Sequence, residues 1–134
     1  LAEVDQHFDV VCVPVGTGGS LAGLIASGRQ DTSVLGVSVL KGGEFLVDDV
    51  RRLIAEAGEM ELSRWRIELD YHFGGYAKST AELRDWVSDF SMRSNIPLEP
   101  VYSGKLFYAV YDMIAKQKFV VGSRVLLIHT GGVY

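Results

Sequence analysis

A single cysteine, Cys12, stands in the 134 residues, so no internal disulfide can form and no thiolate cluster can hold zinc. It lies inside an apolar run, reads as a buried structural thiol, and suits a reducing, cytoplasmic compartment. With 3 histidines, the chain has too few to build a metal site, and none is assigned. No apolar run approaches the roughly 18 residues that a membrane span needs, which argues against a membrane protein. No basic-then-apolar leader opens the chain, although its first residue is Leu1 rather than methionine. A basic stripe is also missing: the formal net charge of −4 argues against a nucleic-acid partner, because phosphate counterions would have nothing to displace them. Internal repeats and low-complexity segments are absent too.

What is present is enough apolar residue, 48%, for a core in a chain of this length, and one domain spanning residues 1–134 is the expectation. Val10 to Val15 is a β-branched run that fits a strand buried on both faces, with Pro14 marking a place where ladder pairing ends. Gly16-Thr17-Gly18-Gly19-Ser20 follows, and Leu21, Leu24 and Ile25 then repeat at helical spacing up to Gly28. A second strand is expected over Val34 to Leu40, a surface helix over Phe45 to Ala57, and a half-exposed strand over Trp65 to Leu69. An aromatic, glycine-rich loop runs from Tyr71 to Tyr76. Ser79 or Thr80 caps a helix bearing Leu83, Trp86, Val87 and Phe90, which Pro97 and Pro100 end. Leu106, Phe107, Val110, Met113 and Ile114 mark the next helix, and Arg124 to Ile128 is the last strand, running into His129-Thr130-Gly131-Gly132. Strands alternating with helices make this an α/β fold, with a mostly parallel sheet and flanking helices. Ligands in such sheets sit at the carboxyl ends of the strands, where the Gly16, Tyr76, Tyr102 and Thr130 loops emerge.

The Gly16–Ser20 loop joins a strand to a helix, which exposes backbone N–H groups at a helix N-terminus, and Ser20 is read as the N-cap. A phosphate cradle, with a monophosphate preferred, is favoured over a purely structural turn. No Gly-Lys-Ser/Thr follows the glycines, so a Walker A loop is excluded; Leu21 occupies the third-glycine place of the dinucleotide fingerprint, and the second strand ends at Lys41 without a ribose-binding acid. Taken singly, Tyr76 and Tyr102 are more often packing residues than catalysts, His129 more often a core histidine than a ligand, and Thr130 more often turn chemistry.

Together, Val13 to Leu24, Gly75-Tyr76, Pro100 to Lys105 and Leu127 to Gly132 resemble the C-terminal half of the 1-aminocyclopropane-1-carboxylate deaminase/D-cysteine desulfhydrase family. These are pyridoxal-phosphate enzymes of fold type II, with the fold of the tryptophan synthase β subunit. The resemblance implies an incomplete copy of the larger cofactor-binding domain, with pyridoxal 5'-phosphate as cofactor, a small amino acid as substrate, and ammonia and a 2-oxo acid as products. It implies that Thr17, Gly18, Gly19 and Ser20 hold the cofactor phosphate, that Tyr76 and Tyr102 face the substrate as acid, base or nucleophile, and that Thr130 lies beside the pyridine nitrogen. Where typical cyclopropane deaminases carry a glutamate beside that nitrogen, this chain has Ser103; with Thr130, this favours a desulfhydrase-like member or an unassigned deaminase over a true cyclopropane deaminase. The family's Schiff-base lysine lies in its N-terminal half and neither Lys41 nor Lys105 takes its place, so the chain alone is expected to be inactive. The missing half of the same protein and a second subunit in a homodimer are the expected partners. A non-catalytic phosphate-binding module and, less favoured, a nicotinamide-dependent oxidoreductase stand as the alternatives.

Overall fold

The computed structural model describes residues 8–28, 31–61 and 63–129. Its elements are β1 (Val10–Val15), α1 (Gly19–Ser27), β2 (Ser33–Ser38), a short 3-10 turn (Gly43–Phe45), α2 (Leu46–Glu56), β3 (Arg64–Glu68), α3 (Ala81–Ser94), α4 (Ser103–Ala115) and β4 (Val125–Leu127). The four strands form one sheet in the order β3-β2-β1-β4, and every pairing is parallel. The chain therefore steps from β1 to β2 to β3 in one direction and returns to lay β4 on the other side of β1. Right-handed crossovers convert that reversal into a change of face. Val13, Val15 and Val34 pack with Leu21, Ile25, Leu46, Val50 and Ile54 of α1 and α2. Cys12, Leu35 and Val37 face the opposite way, onto Leu83, Val87, Leu106, Ala109, Val110 and Met113 of α3 and α4. Alternate residues of β1 and β2 thus serve two cores, which is why both strands read as continuous apolar runs. Leu21 and Ile25 are 1% and 0% exposed, and burial of each is worth roughly 1.5–3 kcal/mol.

Pro14 is paired despite lacking an N–H, because β1 presents its two edges to different neighbours. Asp9 and Val15 offer their carbonyls to β2, whereas Cys12 accepts the Ile128 N–H on the β4 side. Pro14 shares the Cys12 side, and register with β4 runs only from Val10 to Cys12. The missing donor falls just past the end of that ladder. Pairing stops on one side of Pro14 while it continues on the other to Val15.

Three local readings are corrected. Gly18, not Ser20, is the N-cap of α1, so Ser20 lies inside the first turn. α3 ends at Asn95, which adopts the left-handed conformation (φ 59°) and donates its N–H to the Ser91 carbonyl, before either proline is reached. Phe45 sits in the 3-10 turn with its side chain outward, whereas Leu46 takes the buried position. Thr80 does cap α3, its hydroxyl accepting the Leu83 N–H at 3.1 Å. Burial pushes the Cys12 thiol up to about 12, so it is an inert core residue at neutral pH.

Candidate functional site

The strand order reverses between β1 and β4, and in doubly wound sheets ligands bind outside the carboxyl ends of the strands at such a point. The first wall is the turn into α1. Gly18 sits at φ 86°, which a side chain resists, and a Cβ there would approach Val50 Cγ2 to 3.0 Å. The first intrahelical bond here runs from the Ala22 N–H to the Gly18 carbonyl, at 2.9 Å. The amides of Gly19, Ser20 and Leu21 therefore lack intrahelical acceptors. No side chain caps this end and its first turn holds no acid. Thr17, Gly19 and Ser20 are exposed, so the positive end of the helix dipole faces outward.

The second wall comes from α4. Tyr102 precedes its first residue, and its ring lies across Gly16: a Cβ there would be 3.4 Å from Cε1 and 3.9 Å from the hydroxyl. The Tyr102 hydroxyl donates to the Tyr76 hydroxyl at 3.0 Å, and the rings meet edge to face with centroids 6.1 Å apart. Residues 26 apart in sequence, from the loop after β3 and the start of α4, are thereby joined above the glycine turn.

The N-terminus of α4 is organised oppositely to that of α1. Glu99, only 5% exposed, accepts the N–H groups of Val101 (2.6 Å), Tyr102 (2.8 Å) and Ser103 (2.7 Å) with its carboxylate. Its own N–H donates to Ser103 Oγ at 3.0 Å. The Ser103 hydroxyl, buried, is thus bound up with Glu99. Gly104 completes the turn, because a Cβ there would come within 2.5 Å of the Glu99 carbonyl oxygen. Glu99 was missed from sequence: the capping signature places the acid after the hydroxyl residue, and here it stands four residues before Ser103. Replacing it with alanine leaves three donors unpaired, the Ser103 N–H in a buried position and those of Val101 and Tyr102 in half-buried ones. We expect Glu99→Ala to cost about 3 kcal/mol, read as a lower urea midpoint; a change under about 0.5 kcal/mol would show that water replaces the carboxylate.

Two further side chains frame the site. Lys105 is fully buried, and its ammonium donates to the Gly75 carbonyl at 2.9 Å and, less closely, to that of Val39 at 3.5 Å. Burial lowers its pKa, with the Glu99 charge opposing that effect. His129 Nε2 lies 2.6 Å from the Pro97 carbonyl, so the end of β4 is tied to the segment before α4. Thr130 lies outside the described residues. No described helix is long and apolar enough to cross a membrane.

Residues 1–131 match the model of the pyridoxal-phosphate dependent enzyme family. The chain belongs to this family. A Pyrococcus furiosus protein provisionally named as a 1-aminocyclopropane-1-carboxylate deaminase is 38% identical over 97% of this chain and 41% of its own length. The bifunctional D-cysteine desulfhydrase/1-aminocyclopropane-1-carboxylate deaminase of Arabidopsis thaliana mitochondria is 32% identical over 96% of this chain and 33% of its own. A crystal structure of a 1-aminocyclopropane-1-carboxylate deaminase homologue superposes with a TM-score of 0.81 at 32% identity, covering 98% of this chain and 42% of that one. The sheet is therefore part of a fold-type II pyridoxal-phosphate architecture, and the chain spans about two-fifths of the length of the Pyrococcus furiosus relative.

Proposed function

We propose that these residues form the phosphate-anchoring and tyrosine-bearing part of an enzyme that releases ammonia and a 2-oxo acid from a small amino acid. Relatives that carry the names 1-aminocyclopropane-1-carboxylate deaminase and D-cysteine desulfhydrase support this reading. The observation that carries this reading is the contrast between two helix N-termini at one sheet edge. A carboxylate fills that of α4, while that of α1 has neither a side-chain cap nor an acid in its first turn. An acid-free, outward-facing set of amides at the strand-order reversal fits the phosphate end of pyridoxal phosphate.

Thr17, Gly18, Gly19 and Ser20 would hold the phosphate, the last three through backbone amides and Thr17 and Ser20 through their exposed hydroxyls as well. When bound, the cofactor supplies an electron sink for the bond-breaking at the substrate's α-carbon. The chain's own contribution is proton handling. Tyr102 donates to Tyr76, which leaves the Tyr76 proton available to a substrate group and makes the two hydroxyls a short relay. Thr130, and Ser103 through the helix turn it stabilises with Glu99, are assigned to the pyridine side of the cofactor. A neutral hydroxyl there weakens the electron sink relative to a carboxylate, which favours desulfhydrase-like substrates. The lysine that binds the cofactor covalently is assigned to residues outside these 134, since Lys105 is occupied by two carbonyls. Further proposals are a two-domain parent and a homodimer.

The test supplies pyridoxal phosphate to the complete protein that carries this sequence and assays ammonia and 2-oxo acid from D-cysteine and from 1-aminocyclopropane-1-carboxylate. A visible absorption band with turnover of D-cysteine is expected. No band, together with saturable binding of a nicotinamide cofactor, would overturn the reading.

A further inference from the structure

Among the described residues Lys105 is the largest fully buried side chain, a position where an apolar residue would ordinarily serve. Its ammonium is solvated by carbonyls from two other segments: Val39 at the end of β2, 66 residues away, and Gly75 in the loop after β3, 30 residues away. The Gly75 carbonyl also accepts the Lys78 N–H at 3.1 Å, and the Gly75 N–H donates to the His72 carbonyl at 3.3 Å. The peptide unit that leads into Tyr76 is therefore held from several directions, with Lys105 supplying the only one of these contacts that comes from α4. Lys105 stands three residues after Tyr102, on the first turn of that helix.

We propose that Lys105 is a positioning residue for the tyrosine pair, clamping the loop that carries Tyr76 onto the helix start that carries Tyr102. A lysine suits this task because it projects three donors from a long apolar stem, so it crosses the core and still satisfies carbonyls on the far side. A methionine would fill the same space and leave the Gly75 carbonyl short of one partner. The two hydroxyls meet at 3.0 Å, between a half-buried ring and an exposed one that also touch edge to face. The pair is built from two separate segments, and the Lys105 contact to Gly75 holds the segment that carries Tyr76 in place behind it. The inference rests on the reading in which this pair faces substrate, but its primary readout needs neither cofactor nor turnover.

The complete protein is labelled with tyrosine carrying 13C at Cζ, and its spectra are recorded without added cofactor for the wild type and for Lys105→Met and Gly75→Ala. Tyr76→Phe and Tyr102→Phe assign the two resonances. Both should move or broaden in Lys105→Met, while Tyr71 and Tyr108, held by Asp112 and Glu82, keep their positions. The variant's kcat should fall roughly 10- to 100-fold with KM little changed, the signature of misplacement rather than lost binding. Gly75→Ala reads the clamp from the carbonyl side: at φ 129° the new side chain twists the peptide, with no hole opened in the core. It should displace the same two resonances, and it decides the matter if Lys105→Met does not fold. Unmoved Tyr76 and Tyr102 signals in either folded variant, or equal movement of the Tyr71 and Tyr108 signals, would overturn the proposal. Failure of the enzymatic reading alone would leave the spectral pattern intact and abolish only the kinetic one.

Discussion

Ser20→Glu should weaken binding of pyridoxal phosphate to the complete protein by about 100-fold, roughly 2.7 kcal/mol, while slightly stabilising the cofactor-free form. The two effects have opposite signs for one physical reason. Ser20 is exposed in the first turn of α1, whose N-terminus has no side-chain cap and no acid. A carboxylate there interacts favourably with the unpaired amides and the helix dipole, which is worth about 0.3–1 kcal/mol to an otherwise empty helix end. The same negative charge occupies the field that a phosphate dianion would use and repels it at close range. Titration of the visible absorption band gives the affinity, and calorimetry of the cofactor-free protein gives the stability. A loss of both would indicate a damaged helix, and unchanged affinity would place the phosphate elsewhere.

Tyr102→Phe should lower kcat by roughly 10²- to 10⁴-fold with cofactor affinity unchanged, the range expected when a positioned acid or base is removed. The ring is retained, so its packing across Gly16 survives and the deletion is confined to one hydroxyl. The lost hydrogen bond to Tyr76 is partly solvent-exposed and contributes about 0.5–1.5 kcal/mol at most to stability, too little to unfold the domain. Stopped-flow measurement of α-proton exchange with solvent separates the chemical step from product release. If Tyr102→Phe exchanges at the wild-type rate and turns over normally, the hydroxyl pair is a packing feature and the proton relay is wrong.

The elements that could be read from the sequence were those whose cause is local. β-branched runs ending in glycine turns, apolar residues at helical spacing, and Thr80 ahead of α3 each state their structure within a few residues. Together with short crossovers they dictate a parallel sheet, and the loops at its carboxyl edge follow. Ser20 is not the cap because Gly18, two residues earlier, takes the left-handed N-cap position itself, with no side-chain cap. Pro14 was ambiguous because strand period alone does not tell which edge of β1 its missing donor faces; that depends on how far β4 extends. Glu99 looked like an ordinary acid between two prolines, and only the fold of α4 turns it inward onto three N–H groups. Lys105 was legible as part of a helix start and not as a core residue, because its partners lie 30 and 66 residues away. The tyrosine pair was anticipated as two separate residues from family resemblance, whereas the hydrogen bond joining them is a product of the tertiary fold.

The use of the α1 N-terminus as the cofactor's phosphate seat is tested most directly by a crystal structure of the complete protein grown with pyridoxal phosphate. Phosphate density is expected within hydrogen-bond distance of the Gly18, Gly19 and Ser20 amides, with the ring lying toward Tyr76 and Tyr102. Phosphate density at another site, with this helix end left to solvent, would contradict it.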